Sequence, residues 1–231
     1  MIDEIGGLFG ALQFDRSVVV GAIPGVLLLL AMFLSWQPLA RIRAYFNMQK
    51  TIRGLGAECL RDVYLPGGLD DRIYAEYLVL MPQGLLLLHV KPYYGMIFAA
   101  DQIEQWTQVI GHRSFKFSNP LHQIHSTLGE LRSILPKVAI EGRVLFTSGS
   151  QFPKGKPEMV YLLDELRELG QPHQSKTIPE GLLAVWRDLQ AKSQRAGQIR
   201  LELYLRQGDK RRLFYGAALL LAALGWLVSV L

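Results

Sequence analysis

The sequence predicts an α/β domain with a mixed sheet flanked by helices, carried between two apolar helices. Three observations predict it. Val18 to Trp36 and Leu213 to Leu231 are each nineteen residues without a charge. Segments rich in β-formers, punctuated by Gly and Pro, fill the chain from residue 61 to residue 118. An amphipathic helix and a further strand follow Asn119-Pro120, an order typical of helices packed on a sheet.

Each uncharged run, as a helix of ~1.5 Å per residue, reaches about 28 Å, close to the ~30 Å hydrocarbon core of a bilayer. Gly21, Pro24 and Gly25 fall in the first run, where a membrane helix tolerates them better than a soluble one. Asp3, Glu4 and Asp15 against Arg16 make the preceding tail acidic. A signal peptide has a basic start, so the run reads as an anchor. Arg41, Arg43, Lys50 and Arg53 follow the first run, and Arg206, Lys210, Arg211 and Arg212 precede the second. The positive-inside rule then predicts a two-pass protein of a bacterial inner membrane. Its middle lies in the cytoplasm, both termini lie outside, and the bilayer is its first partner. Residues 1–17 form an extracytoplasmic tail, and residues 18–36 and 213–231 are the spans.

The chain carries a formal charge of +5. Three acids and one arginine make the tail −2, so residues 37–231 carry +7. That permits nucleic acid as a partner without demanding it. Cys59 is the single cysteine, which excludes an intramolecular disulfide and suits a reducing compartment. P-loop, dinucleotide, G-x-S-x-G and paired CxxC patterns are absent, so ATP-dependent, redox and serine-hydrolase readings have no support.

Along the middle, Leu39, Ile42, Phe46, Ile52 and Leu55 predict a helix over 38–60, with a break near Pro38. Residues 61–65, 72–81, 84–91 and 95–99 read as strands. The run from Leu85 to Leu88 between turns marks a central strand buried on both faces. Gly111 suits a hairpin across 106–118. Asn119 caps a helix with Pro120 at its first position, and Leu121, Ile124, Leu128, Leu131 and Leu135 line one side of it. Residues 143–146 and 158–162 read as strands, the latter leading into a helix ending near Gly170. Pro179 opens another helix, and the alternation of Ile199, Leu201, Leu203 and Leu205 favours a strand.

Chemistry concentrates between Gly56 and Gln123. His89 and Lys91 sit two apart on the central strand and share a face, opposite Leu88 and Val90. Glu76 lies on the preceding strand and Glu58 at the end of the first helix. A sheet projecting Glu76, His89 and Lys91 toward Glu58 would make a polar cluster able to bind a divalent cation through oxygen, with the lysine stabilising developing charge. Each residue also has a plain structural reading: Glu58 as a solvated helix-end acid, Glu76 as an ion-pair partner, His89 as a hydrogen-bonded core histidine, Lys91 as a snorkelling side chain. His122 and His125 share a helix face and read best as solvated. Trp106, Phe115 and Phe117 could stack on bases but read best as core.

An ordered set of short pieces resembles the NERD family, the nuclease-related domain, whose fold is restriction-endonuclease-like with a PD-(D/E)xK pattern. The pieces are Gly56-Ala57-Glu58; Glu76 through Met81-Pro82-Gln83-Gly84; His89-Val90-Lys91 with Gly95; Trp106; and Asn119-Pro120-Leu121-His122-Gln123. They cover about residues 54 to 150, implying a nuclease-related domain over 37–150 with a cytoplasmic extension over 151–212. The resemblance implies Glu58, Glu76, His89 and Lys91 as catalytic positions. It implies Glu58, Glu76 and His89 as ligands of Mg or Mn, and Gln123 near the substrate. Glu76 stands where the family usually has Asp, and His89 where it has the Glu of E-x-K. Imidazole suits Mn, Fe, Zn or Ni better than Mg, so the site has changed or lost its metal. Two functions follow from the resemblance: a membrane-anchored, metal-dependent phosphodiesterase acting on nucleic acid, or an inactive nuclease fold kept as a binding or scaffolding module. A structural membrane protein without a nucleic-acid role is a third reading of the modest charge.

Overall fold

The computed structural model describes residues 16–67, 71–147, 149–170, 177–198 and 201–230. Most of the acidic tail and part of the strand expected after residue 198 lie outside them. The chain divides into two units, residues 1–43 with 205–231, and residues 44–204.

The first unit is helical. Helix α1 (Arg16–Arg53) runs through Pro24 and Pro38, so the break expected near Pro38 is not there. A proline deletes one backbone hydrogen bond, which the rest of a long helix tolerates, especially in an apolar setting. Helix α5 (Asp209–Val230) is the second apolar helix. Residues 22–53 and 209–229 are both long and apolar enough to cross a membrane. Their large apolar side chains face outward, Phe33 at 77%, Phe214 at 70% and Leu221 at 71% exposure. Arg41 and Asp209 form an ion pair. At Gly216 the two helices approach closely: a Cβ there would meet Ser35 Oγ at 2.1 Å.

The second unit is the α/β domain. Strands β1 (Glu58–Pro66), β2 (Arg72–Met81) and β3 (Gly84–Lys91) form an antiparallel meander. Strand β4 (Gly95–Phe98) starts a second sheet with β5 (Gln105–Ile110) and β6 (Arg113–Ser118). Helix α2 (Pro120–Ile134) returns the chain to the first sheet, where β7 (Ile140–Phe146) pairs parallel to β3. Strand β8 (Ser150–Gln151) joins β4, and β9 (Val160–Leu162) joins β7, again parallel. Helix α3 (Leu163–Gly170), helix α4 (Glu180–Lys192) and the short strand β10 (Gln194–Arg195) follow. The sheets have the orders β10-β1-β2-β3-β7-β9 and β6-β5-β4-β8.

Apolar side chains on both faces of β3 explain its central position. Leu85 and Leu87 pack with Leu121, Ile124, Leu128 and Leu131 of α2 and with Trp186 of α4. Leu86, Leu88 and Val90 pack on the other face with Met48 and Ile52 of α1 and Leu166 of α3. Each such buried aliphatic residue contributes about 1.5–3 kcal/mol of burial. Gly84 closes the β2–β3 turn at φ 151, where a Cβ would lie 2.1 Å from the Ala139 carbonyl oxygen.

Two elements differ from expectation. The first helix ends at Arg53, and Glu58 opens strand β1 instead of closing a helix. Gly54 and Gly56 stop the helix, because glycine gives up most entropy there. Gly56 then lies so close to β2 that a Cβ would be 2.2 Å from the Leu80 carbonyl oxygen. The alternating leucines expected as a strand over 199–205 instead make a 3-10 turn, Leu201–Tyr204. Its exposed Leu203 has no neighbouring strand to join among the described residues.

Candidate functional site

The site forms where β2 and β3 stop pairing. Their ladder runs from Met81 opposite Gly84 to Tyr77 opposite Leu88. Glu76 and His89 would face each other next, and there the strands part. Glu76 fills the gap with its side chain: Oε2 accepts the backbone N–H of Val90 at 2.8 Å. On the other flank, β1 pairs with β2 through Arg61–Tyr77 and Val63–Ala75, which sets Asp62 opposite Glu76. Asp62 has φ 53, a left-handed conformation that Asp tolerates better than most residues. Strand β2 changes face here. Ile73 and Ala75 belong to the α2 side of the core, whereas Tyr77 and Val79 belong to the α1 side. Glu76 sits at that crossover.

Asp62 holds the crossover from β1. Its Oδ1 accepts the Tyr74 hydroxyl at 3.2 Å and the Gln198 backbone N–H at 3.1 Å. Its carbonyl oxygen accepts the Ala196 N–H at 2.8 Å. The sequence reading missed Asp62; an aspartate inside a β-rich run, where it is disfavoured, was the available signal.

A cavity of about 550 Å³ opens at the gap, lined by Glu76, His89, Lys91 and Gln123 together with Tyr74, Tyr93, Gln198 and Tyr204. Lys91 Nζ donates to Gln123 Oε1 at 3.2 Å, joining the end of β3 to the first turns of α2. Asn119 aims that helix: its Oδ1 accepts the Leu121 N–H at 2.9 Å, and its Nδ2 donates to the Asp101 and Ile103 carbonyls.

Burial sets the charges. It pushes the Glu76 carboxyl up to about 7, against the pull of the Val90 N–H and the Lys91 ammonium. It pushes His89 down to about 4, helped by Lys91, so the imidazole is neutral at pH 7. His89 is 2% exposed, and its Nε2 has no hydrogen-bond partner among the described residues. Lys91 is lowered by burial, with Glu76 opposing. The Tyr74 and Tyr204 hydroxyls are raised, chiefly by burial, and stay protonated.

Glu58 does not join this cluster. It pairs with Leu80, four residues along β2 from Glu76, which is about 13 Å at the strand rise. Its Oε2 accepts the indole N–H of Trp186 at 2.7 Å. Among the described residues, no three His, Cys, Asp or Glu side chains come together as a metal site. The groups that line the cavity are one carboxyl, one imidazole, one ammonium, amides and tyrosine hydroxyls. Mg²⁺ and Mn²⁺ favour several hard oxygen ligands, and this set does not fit them. His122 and His125 are exposed on α2. Trp106 is core, donating its N–H to the Ala100 carbonyl at 2.9 Å and stacking on Phe146. Phe117 packs against Trp106 and Tyr93, while Phe115 is exposed.

A mixed sheet covered by helices on both faces, with a polar cavity where two of its central strands part, defines an α/β domain with its site at a strand end. Residues 41–147 match the model of NERD, the nuclease-related domain. No curated protein and no solved structure matches the chain.

Proposed function

We propose that this protein is a nuclease-related binding module for nucleic acid, held at the cytoplasmic face of a membrane by α1 and α5. One observation carries the reading. The position where the family resemblance implies a metal-binding glutamate holds His89, a buried imidazole that lines the same cavity as Glu76 and Lys91. Such a pocket supplies one cation, Lys91, with amide and hydroxyl hydrogen-bond partners. That set suits a phosphate and a base more than it suits Mg²⁺.

The family match supports a second reading, hydrolysis of a phosphodiester. Glu76, Lys91 and Gln123 stand together at positions the resemblance implies for it. One experiment separates the two. The full chain in detergent is incubated with labelled DNA and RNA, with and without Mg²⁺ or Mn²⁺. Salt-sensitive retention without cleavage is expected. Metal-dependent cleavage that disappears in Lys91→Ala would replace the module with an enzyme. Absence of affinity for any nucleic acid would remove both.

A further inference from the structure

We infer that the cavity takes one unpaired nucleotide, its phosphate on Lys91 and its base among the tyrosines, so that the domain selects single-stranded over duplex nucleic acid. The inference rests on the nucleic-acid reading above and specifies the form of the ligand. Three features of the cavity carry it.

The first is size. A space of about 550 Å³ is in the range of small-molecule sites and accommodates a nucleotide, not a double helix. His89 lines it and is only 2% exposed, so a ligand must enter to meet it. A paired base cannot do so without leaving its stack, while an unpaired base is already free of that cost.

The second is aromatic surface held in place. Each of three tyrosines lining the cavity leans on another ring. Tyr93 lies 4.5 Å from Phe117, Tyr204 lies 4.5 Å from Tyr45, and Tyr74 lies 5.8 Å from Tyr64, centroid to centroid. Rings already immobilised lose little freedom on stacking with a base, and stacking tolerates any base. Their hydroxyls remain protonated and bring no negative charge to oppose a phosphate.

The third is charge. Lys91 is the cation among the residues lining the cavity. One ammonium suits one phosphate below about pH 7, where the Glu76 carboxyl in the same cavity keeps its proton. A duplex-binding surface draws its affinity from many phosphate contacts and shows a correspondingly steep salt dependence.

The test is fluorescence anisotropy on the full chain in detergent at several salt concentrations. The probes are a single-stranded DNA oligonucleotide, the same sequence as RNA, its blunt duplex, and a duplex with an unpaired overhang. The single strands and the overhang are expected to bind about tenfold tighter than the blunt duplex. Lys91→Ala should weaken single-strand binding and flatten the slope of log K against log salt by about 0.7. Gln123→Ala, an exposed change on α2 that leaves the core untouched, should weaken the same probes and keeps the test open if Lys91→Ala does not fold. A nucleoside monophosphate competing at the strand's own affinity would overturn the inference, because the cavity would then take free nucleotides and not a strand. Equal or tighter binding of the blunt duplex would overturn the inference while leaving the nucleic-acid reading in place. No binding of any probe would overturn both.

Discussion

Glu76→Gln should make the domain more stable at pH 8 and leave it unchanged at pH 4. The wild-type carboxyl titrates at about 7 in the folded protein, raised from its ordinary 4.5. Below pH 4.5 the folded and unfolded chains both hold the proton, and burial has no electrostatic cost. Between 4.5 and 7 the unfolded chain releases the proton while the folded chain retains it, so stability falls as pH rises. Above 7 the whole cost is present, about 3 kcal/mol for that displacement. A glutamine keeps an oxygen for the Val90 N–H, which the carboxyl accepts at 2.8 Å, and never ionises. The gain should therefore rise from near zero at pH 4 to about 3 kcal/mol at pH 8. Urea unfolding of the full chain in detergent, followed by hydrogen exchange of β3 amides, reads the domain separately from the helices. With an m-value of about 2 kcal/mol per molar, the midpoint should move up by about 1.5 M at pH 8. A variant that is no more stable than wild type at pH 8, or one whose gain is equal at both pH values, would refute the assignment of Glu76 as a buried carboxyl.

His89 gives the opposite trend. Its pKa falls from 6.5 to about 4 in the folded state, so its contribution is intact above 6.5 and about 3 kcal/mol is lost as pH drops to 4. The two groups offset each other between pH 4.5 and 6.5. His89→Gln and Glu76→Gln should tilt the wild-type stability profile in opposite directions, which the same unfolding series checks. Glu58→Ala should cost about 1 kcal/mol through loss of the Trp186 hydrogen bond and leave nucleic-acid affinity within about twofold; an affinity loss as large as that of Lys91→Ala would return Glu58 to the site. Both helices should hold the protein in the membrane fraction under alkaline extraction, and reporter fusions at residues 1 and 231 should both report the outside. A cytoplasmic C-terminus would reverse the orientation argued from the basic flanks.

Much of this fold was legible because its determinants are local or periodic. The apolar run Leu85–Leu88 between Pro82-Gln83-Gly84 and the polar Lys91 fixes a central strand, since every other environment would expose one of its faces. Asn119-Pro120 announces the start of α2 by capping chemistry alone. Uncharged runs of nineteen residues mark the two long helices, because no stretch of soluble surface needs them. Two local readings failed where the context overrode the pattern. Glu58 became part of β1 when the glycines before it ended the helix, and the leucines of 201–204 form a 3-10 turn that pairs with no strand among the described residues.

What the tertiary structure decided is which polar residues meet. Periodicity puts His89 and Lys91 on one face of β3, but it says nothing of where β2 and β3 part, and that gap brings Glu76 to the Val90 N–H. The left-handed turn at Asp62 and the covering segment around Gln198 depend on pairing between residues 136 positions apart. The charge states follow from the same long-range packing: a carboxyl protonated to about pH 7 and a neutral histidine are products of burial. Burial is set by every element that closes over the site, not by the residues on either side of it in the chain.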